Sequence, residues 1–209
     1  MRKISFILNF ARVRLATHTL TVESSLSVLP ITDELVLRDC EAGDIPEITA
    51  IYRHAVLTGS ASFEIEPPSE SEMARRRELL ISGNFPYVVA IVAGELAGYA
   101  YAGAYRPRPA YANTVESSVY VNQNFHGRGI GKALMTRVIN EAEARGFRQM
   151  LAVIGDSNNR ASIRLHESLG FRIIGTLQSV GWKHGGWLDT VLVQRPLGPG
   201  DTQPPGNQR

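Results

Sequence analysis

The chain has 209 residues, 44% of them hydrophobic and 20% charged, with a net charge of +2, which suits one globular domain with or without tails. So small a charge gives no reason to expect nucleic acid, no run approaches the ~18 consecutive apolar residues of a membrane span, and the lone Cys40 cannot build a disulfide framework or a metal cluster. A domain this size buries roughly 70% of its unfolded surface, enough for a core and a cleft. Cys40 reads as a buried, inert thiol. The basic residues gather around 105–108 and 126–132, a spacing that suits a small anion better than a polymer.

Residues 1–31 are basic, poor in acids and rich in Ser and Thr. They read as an N-terminal extension, either disordered or the product of a misassigned start, with a transit peptide as the other reading. A strand is expected over Glu34–Asp39. Asp44 then reads as the N-cap of a helix with Pro46 in its first turn and Glu47 three residues on. Ile48, Ile51, Tyr52, Ala55 and Val56 form its apolar stripe. The loop Thr58–Pro68 carries Ser62-Phe63-Glu64, and Ser69 with Glu72 form a second capping box before a helix that ends near Gly83. The period then changes to that of strands. Tyr87–Val92 and Leu96–Tyr105 flank Ala93-Gly94-Glu95 as a hairpin, and Thr114–Val121 follows the rigid loop Arg106-Pro107-Arg108-Pro109. A helix over about Gly131–Arg145 ends at Gly146, and the apolar run Phe147–Ile154 predicts a strand covered on both faces. A helix over Arg160–Leu169 and strands over about Phe171–Leu177 and Leu188–Gln194 complete a domain expected to span 32–197. The Pro- and Gly-rich segment 198–209 reads as a disordered tail. Alternating strands and helices around a mixed sheet make the class α/β (α+β).

The stretch Gly127-Arg128-Gly129-Ile130-Gly131-Lys132 lies between a strand and a helix. At a helix N-terminus four N–H groups lack intrahelical partners and the dipole places about +0.5 charge, which suits a phosphate. Glycines let the backbone come close, and Arg128 and Lys132 add charge. A Walker loop fails because Ala133 follows Lys132 and His126 stands where its first glycine is needed; a dinucleotide fingerprint fails because Lys132 occupies its last glycine. The plain alternative is a glycine-rich turn that only caps a helix.

Further motifs stand in order around this loop: Ala61-Ser62-Phe63-Glu64, Tyr105 to Tyr111, Thr114 to Val121, Val153 to Asn158, then Asn159, Ser162, His166, Leu169-Gly170-Phe171 and Trp187-Leu188-Asp189-Thr190. Together they resemble the GNAT N-acetyltransferase superfamily, and within it the phosphinothricin and methionine sulfoximine acetyltransferase group, from about Glu34 to Leu197. The resemblance implies a mostly antiparallel twisted sheet with helices on both faces, splayed strands forming the cleft for coenzyme A, acetyl-CoA as co-substrate, no metal, a homodimer and a cytoplasmic setting. It implies acetyl transfer to the amine of a small amino acid or analogue that bears a carboxylate, with protein or peptide acetylation, or a non-catalytic acyl-CoA sensor, as the alternatives. The chain departs from the family at His126, where Arg or Gln is usual; a weaker, pH-sensitive grip on the cofactor is the expected consequence.

The resemblance also assigns residues. Glu116 is the expected general base, with a solvated strand carboxylate or an ion-pair partner of an Arg as the alternatives. Val119, Tyr120 and Val121 would offer backbone groups to the cofactor and the oxyanion, beside Gly127, Arg128, Gly129, Ile130, Gly131, Lys132 and Asn159, the last with a plain helix cap as the alternative. His166 stands two helical turns after Asn159, where many relatives carry a tyrosine acid; acid, substrate contact and structural histidine all stay open. Arg106 and Arg108, stiffened by Pro107 and Pro109, suit a carboxylate or phosphinate; a basic surface loop is the alternative. Phe63, Glu64, Tyr111, Ser117 and Ser118 are expected to complete the substrate pocket, with Glu64 meeting an ammonium. Trp187 and Asp189 read as structural or as interface residues.

Overall fold

A computed structural model describes residues 34–206. The extension over 1–31 and the end of the tail lie outside the described residues.

The elements are β1 (Leu35–Asp39), α1 (Ile45–Thr58), α2 (Glu70–Ser82), β2 (Tyr87–Val92), β3 (Glu95–Ala104), β4 (Thr114–Val121), α3 (Ile130–Ala144), β5 (Gln149–Gly155), α4 (Arg160–Ser168), β6 (Arg172–Lys183) and β7 (Gly186–Pro196). They form one seven-stranded sheet in the order β1-β2-β3-β4-β5-β7-β6. Every pairing is antiparallel except β4 with β5. The α/β class, the mixed sheet and helices on both faces hold as expected.

Strand alternation divides the core into two layers. On one face Val115, Ala100 and Ala102 meet Leu134, Met135 and Val138 of α3, with Ile163 and Phe171 near α4. On the other, Tyr87, Val89 and Tyr99 meet Ile48, Tyr52 and Val56 of α1 and Met73 of α2. Cys40 is buried there with a free thiol pushed up to about 11 by burial, consistent with an inert side chain.

Three local expectations are revised. Asp44 makes no cap bond to α1. Its carboxylate instead accepts both forks of Arg38 at 2.7 Å and the Glu41 N–H at 2.7 Å, because a bidentate guanidinium outcompetes a single backbone N–H. Glu47 turns to β3 and accepts from Leu96 N at 3.3 Å. The last hairpin is also longer than expected. Ser179 takes a left-handed φ of 54°, its N–H donating to Asp189 Oδ1, so the ladder recovers beyond 178–180 and runs on to Trp182 and Trp187. Residues 198–206 carry turns, with Leu197 before them fully buried and Arg148 donating to the Pro204 carbonyl.

Candidate active site

Pairing of β4 with β5 runs from Thr114/Gln149 to Ser117/Ala152 and stops. Each strand nevertheless continues, β4 to Val121 against β3 and β5 to Gly155 against β7. Ser118–Val121 and Val153–Gly155 therefore face each other across a gap without a shared ladder. Ser117 is buried at the vertex, where its Oγ donates to the Leu151 carbonyl at 3.2 Å. A small cavity of about 50 Å³ occupies the gap, lined by Ser118, Val119, Tyr120, Gly155, Asn159 and His166 among others. Backbone groups on such inner edges need partners.

At the open end of β4 a 3-10 turn, Gln123–Phe125, leads to the glycine loop. Gly127 and Gly129 take φ of 76° and 77°, the left-handed region that side chains rarely adopt, so glycine is required at both. Gly129 is the N-cap of α3 and Ala133 N is bonded to its carbonyl, so the first turn's N–H groups point outward as an anion site. Gly131 sits against Leu165 and Val121: a Cβ there would come within 3.4 Å of Leu165 Cδ2. Ile130 is buried and anchors the turn, while Lys132 is exposed. The Arg128 guanidinium lies 5.4 Å above the Phe125 ring. His126 turns its Nε2 back to the Val121 carbonyl at 3.0 Å, which ties that nitrogen to the end of β4. The glycine-rich backbone thus fits a pyrophosphate.

Glu116 lies on the other face, level with Ser118 and Tyr120, and Gly103 stands opposite it on β3. Burial pushes its carboxyl above the ordinary value, and the Arg106 charge opposes that shift. Ser118 stands opposite Tyr101 of β3, and Tyr52 meets Tyr120 edge-on at 5.0 Å. This phenolic lining is signalled in the sequence only by the alternation Tyr99, Tyr101 along β3.

Asn159 caps α4, its side chain accepting from Ser162 N at 3.2 Å. His166 is buried, edge-on to Phe171, with Nδ1 2.8 Å from the Ser162 carbonyl. A carbonyl only accepts, so Nδ1 carries the proton and Nε2 of the neutral ring is an acceptor. Burial lowers the pKa of the ring, favouring that neutral form.

Loops supply the rest. The Phe63 ring packs on Gly155 and Gly181, where any Cβ would collide with it. Glu64 does not wait for a ligand: Arg76 of α2 donates to its Oε1 at 2.7 Å. The 105–111 segment is bent rather than extended. Arg108 opens a 3-10 turn, Pro109–Tyr111, while Arg106 stacks over Tyr105 at 5.1 Å and Tyr111 meets the same ring edge-on at 5.5 Å. Arg106, Pro107, Arg108 and Tyr111 are exposed, and of the two arginines it is Arg106 whose charge is felt by Glu116. Asp189 accepts from Ser157 Oγ and Ser179 N, a structural role. Among the described residues no group of three or more His, Cys, Asp or Glu could hold a metal ion, and no helix is long and apolar enough to cross a membrane.

Residues 48–171 match the model of the Acetyltransferase (GNAT) family. The chain is 49% identical over 170 residues to a phosphinothricin N-acetyltransferase of Alcaligenes faecalis, covering 81% of this chain and 85% of that one. It is 38% identical over 169 residues to an L-methionine sulfoximine/L-methionine sulfone acetyltransferase of Pseudomonas paraeruginosa, covering 80% and 98%. The crystal structure of a GNAT superfamily phosphinothricin acetyltransferase from Sinorhizobium meliloti in complex with AcCoA superposes with a TM-score of 0.81 at 47% identity, covering 83% of this chain and 94% of that one.

The surroundings of Glu116 make a direct prediction. By carbon-detected NMR its carboxyl is expected to titrate above the ordinary glutamate range, and Arg106→Ala is expected to move it higher still, since the arginine's charge favours the ionised form. An unshifted midpoint in the wild type would contradict the burial assigned to it.

Proposed function

This chain belongs to the GNAT acetyltransferase family, and from that premise we propose that it transfers the acetyl group of acetyl-CoA to the primary amine of a small amino acid or analogue of the phosphinothricin or methionine sulfoximine type. The observation that carries this reading is a desolvated Glu116 on the strand that borders the gap, with the positive end of α3 at the strand's far end.

Acetyl-CoA supplies the acyl group as an activated thioester. Backbone N–H groups of Gly127–Lys132, with the Arg128 and Lys132 charges, would hold its pyrophosphate, and the inner edge of β4 at Val119–Val121 with Asn159 would receive its amide-bearing arm. Glu116 accepts the proton of the attacking amine, directly or through one water; its raised pKa makes it a stronger base than an ordinary carboxylate. Backbone N–H groups near Tyr120 and Val121 stabilise the developing oxyanion. Arg106 and Arg108, drawn in by the ligand, pair with its carboxylate or phosphinate, and Phe63, Tyr111, Ser117 and Ser118 shape the remaining walls. Glu64 serves this wall through Arg76 rather than as a free anion. Of the readings open for His166 we adopt the structural one: a neutral ring whose Nε2 accepts is not a proton donor to a thiolate.

The chain further acts as a cytoplasmic homodimer through the outer edge of the sheet. There Ile173, Ile174, Leu177, Val180, Trp182 and Trp187 are each between 48% and 66% exposed, an apolar edge that a monomer rarely leaves uncovered.

A thiol-release assay with acetyl-CoA and a panel of amino acids tests the activity. Glu116→Gln is expected to lower kcat by about 10²–10⁴ with little change in acetyl-CoA affinity; undiminished turnover would remove Glu116 from the reaction, and no calorimetric heat with millimolar acetyl-CoA would remove the reading altogether. Arg108→Ala is expected to cut kcat/KM by about tenfold or more for free amino acids and to leave peptide substrates untouched; equal losses on both would favour peptide acetylation. In sedimentation, Leu177→Lys is expected to shift a dimer to a monomer, whereas a monomeric wild type would discard the interface.

A further inference from the structure

Lys183 is a lysine with only 5% exposure at the tip of the last hairpin, and no role assigned so far uses it. Its ammonium donates to the Gly59 carbonyl at 2.9 Å and the Ser62 carbonyl at 2.6 Å, and His184 adds a contact to Gly59 at 3.2 Å. Those carbonyls belong to the segment after α1 that holds Ala61, Phe63 and Glu64. The segment is fastened from other sides too: Ser62 Oγ bonds the Tyr52 phenol at 2.9 Å, and Phe63 fills the space left open by Gly155 and Gly181. Ala61 itself lines the gap between β4 and β5. A lysine is buried at a cost unless its charge is bonded, so this one marks a contact the fold needs at that spot. Burial also lowers its pKa, which Glu64 opposes.

We infer that Lys183 is a positioning residue for the amine substrate: its buried ammonium fastens residues 59–64, which carry the Phe63 wall of the acceptor pocket, and thereby sets affinity for the amine far more than for acetyl-CoA. The kinetic side of this inference rests on the acetyltransferase reading; the mechanical side does not.

The test compares full-length wild type with Lys183→Met and Lys183→Arg, using acetyl-CoA and phosphinothricin. Lys183→Met is expected to raise KM for phosphinothricin about tenfold or more, with kcat and the acetyl-CoA dissociation constant within about twofold of wild type. Amide hydrogen exchange over 59–64 is expected to quicken in the same variant, and Lys183→Arg, which keeps the charge and the donors, to recover part of both effects. Gly181→Ala loosens the segment from its other anchorage, by displacing Phe63, and is expected to give the same KM split even where Lys183→Met does not fold. Unchanged KM despite quickened exchange would overturn the inference, as would a parallel loss of acetyl-CoA affinity and melting temperature. If wild type acetylates no amine, the acetyltransferase reading falls, while exchange over 59–64 still decides whether Lys183 holds the segment.

Discussion

The parting of β4 from β5 beyond Ser117 and Ala152 is the constraint on which the rest of the site depends. Neither strand can swing to close the gap, because β4 stays laddered to β3 as far as Val121 and β5 to β7 as far as Gly155. Each ladder would have to break to heal the other. The Ser117 hydroxyl satisfies one carbonyl at the vertex, and beyond it the inner edges offer backbone donors and acceptors to whatever enters. A glycine turn with two left-handed residues then redirects the chain from the end of β4 into α3, so strand edge and helix N-terminus form one continuous polar track.

The same splay separates two chemistries across the sheet. The α3 side carries the positive helix end and the glycine backbone. The α1 and α2 side carries Glu116, raised by burial, among the tyrosines of β3 and β4. A carboxylate beside the anion site would be held ionised and weakly basic; on the opposite face, desolvation works unopposed except by Arg106. His166 lines the gap, and its bond to the Ser162 carbonyl commits its proton to Nδ1.

Periodicity made most of the fold legible. The stripe of α1, the hairpin at 93–95, the stops at Gly83 and Gly146 and the apolar run of β5 all depend on residues near in sequence, and all appear where expected. The misreadings share one cause. Asp44, Glu47 and Glu64 each carry a local signature, and each is captured by a partner that local pattern cannot show: Arg38, Leu96 N and Arg76. The length of the final hairpin turned on Ser179 bonding Asp189, again a tertiary contact. At the site, the glycine loop was readable because backbone geometry restricts which residues can stand there. Lys183 was not: between Trp182 and His184 at a hairpin tip, nothing in its neighbours announces burial against a loop 121 residues away.

That contrast has a mechanical origin. On the proposed function, the donor side would be main chain held by regular elements: two strand edges, a turn whose φ angles demand glycine, a helix end. Side-chain substitutions around it leave its donors in place, provided the glycines remain. On the same proposal, the acceptor side would be made of side chains on loops, 59–64 and 105–111, which are held by Lys183, by the Tyr52–Ser62 bond, by the Glu64–Arg76 pair and by the packing of Arg106 and Tyr111 on Tyr105. Each of those fastenings can change one residue at a time without disturbing the sheet. A fold arranged this way can keep its acyl donor while its choice of amine drifts, because the free energy of gripping the donor and that of selecting the acceptor are stored in different kinds of structure.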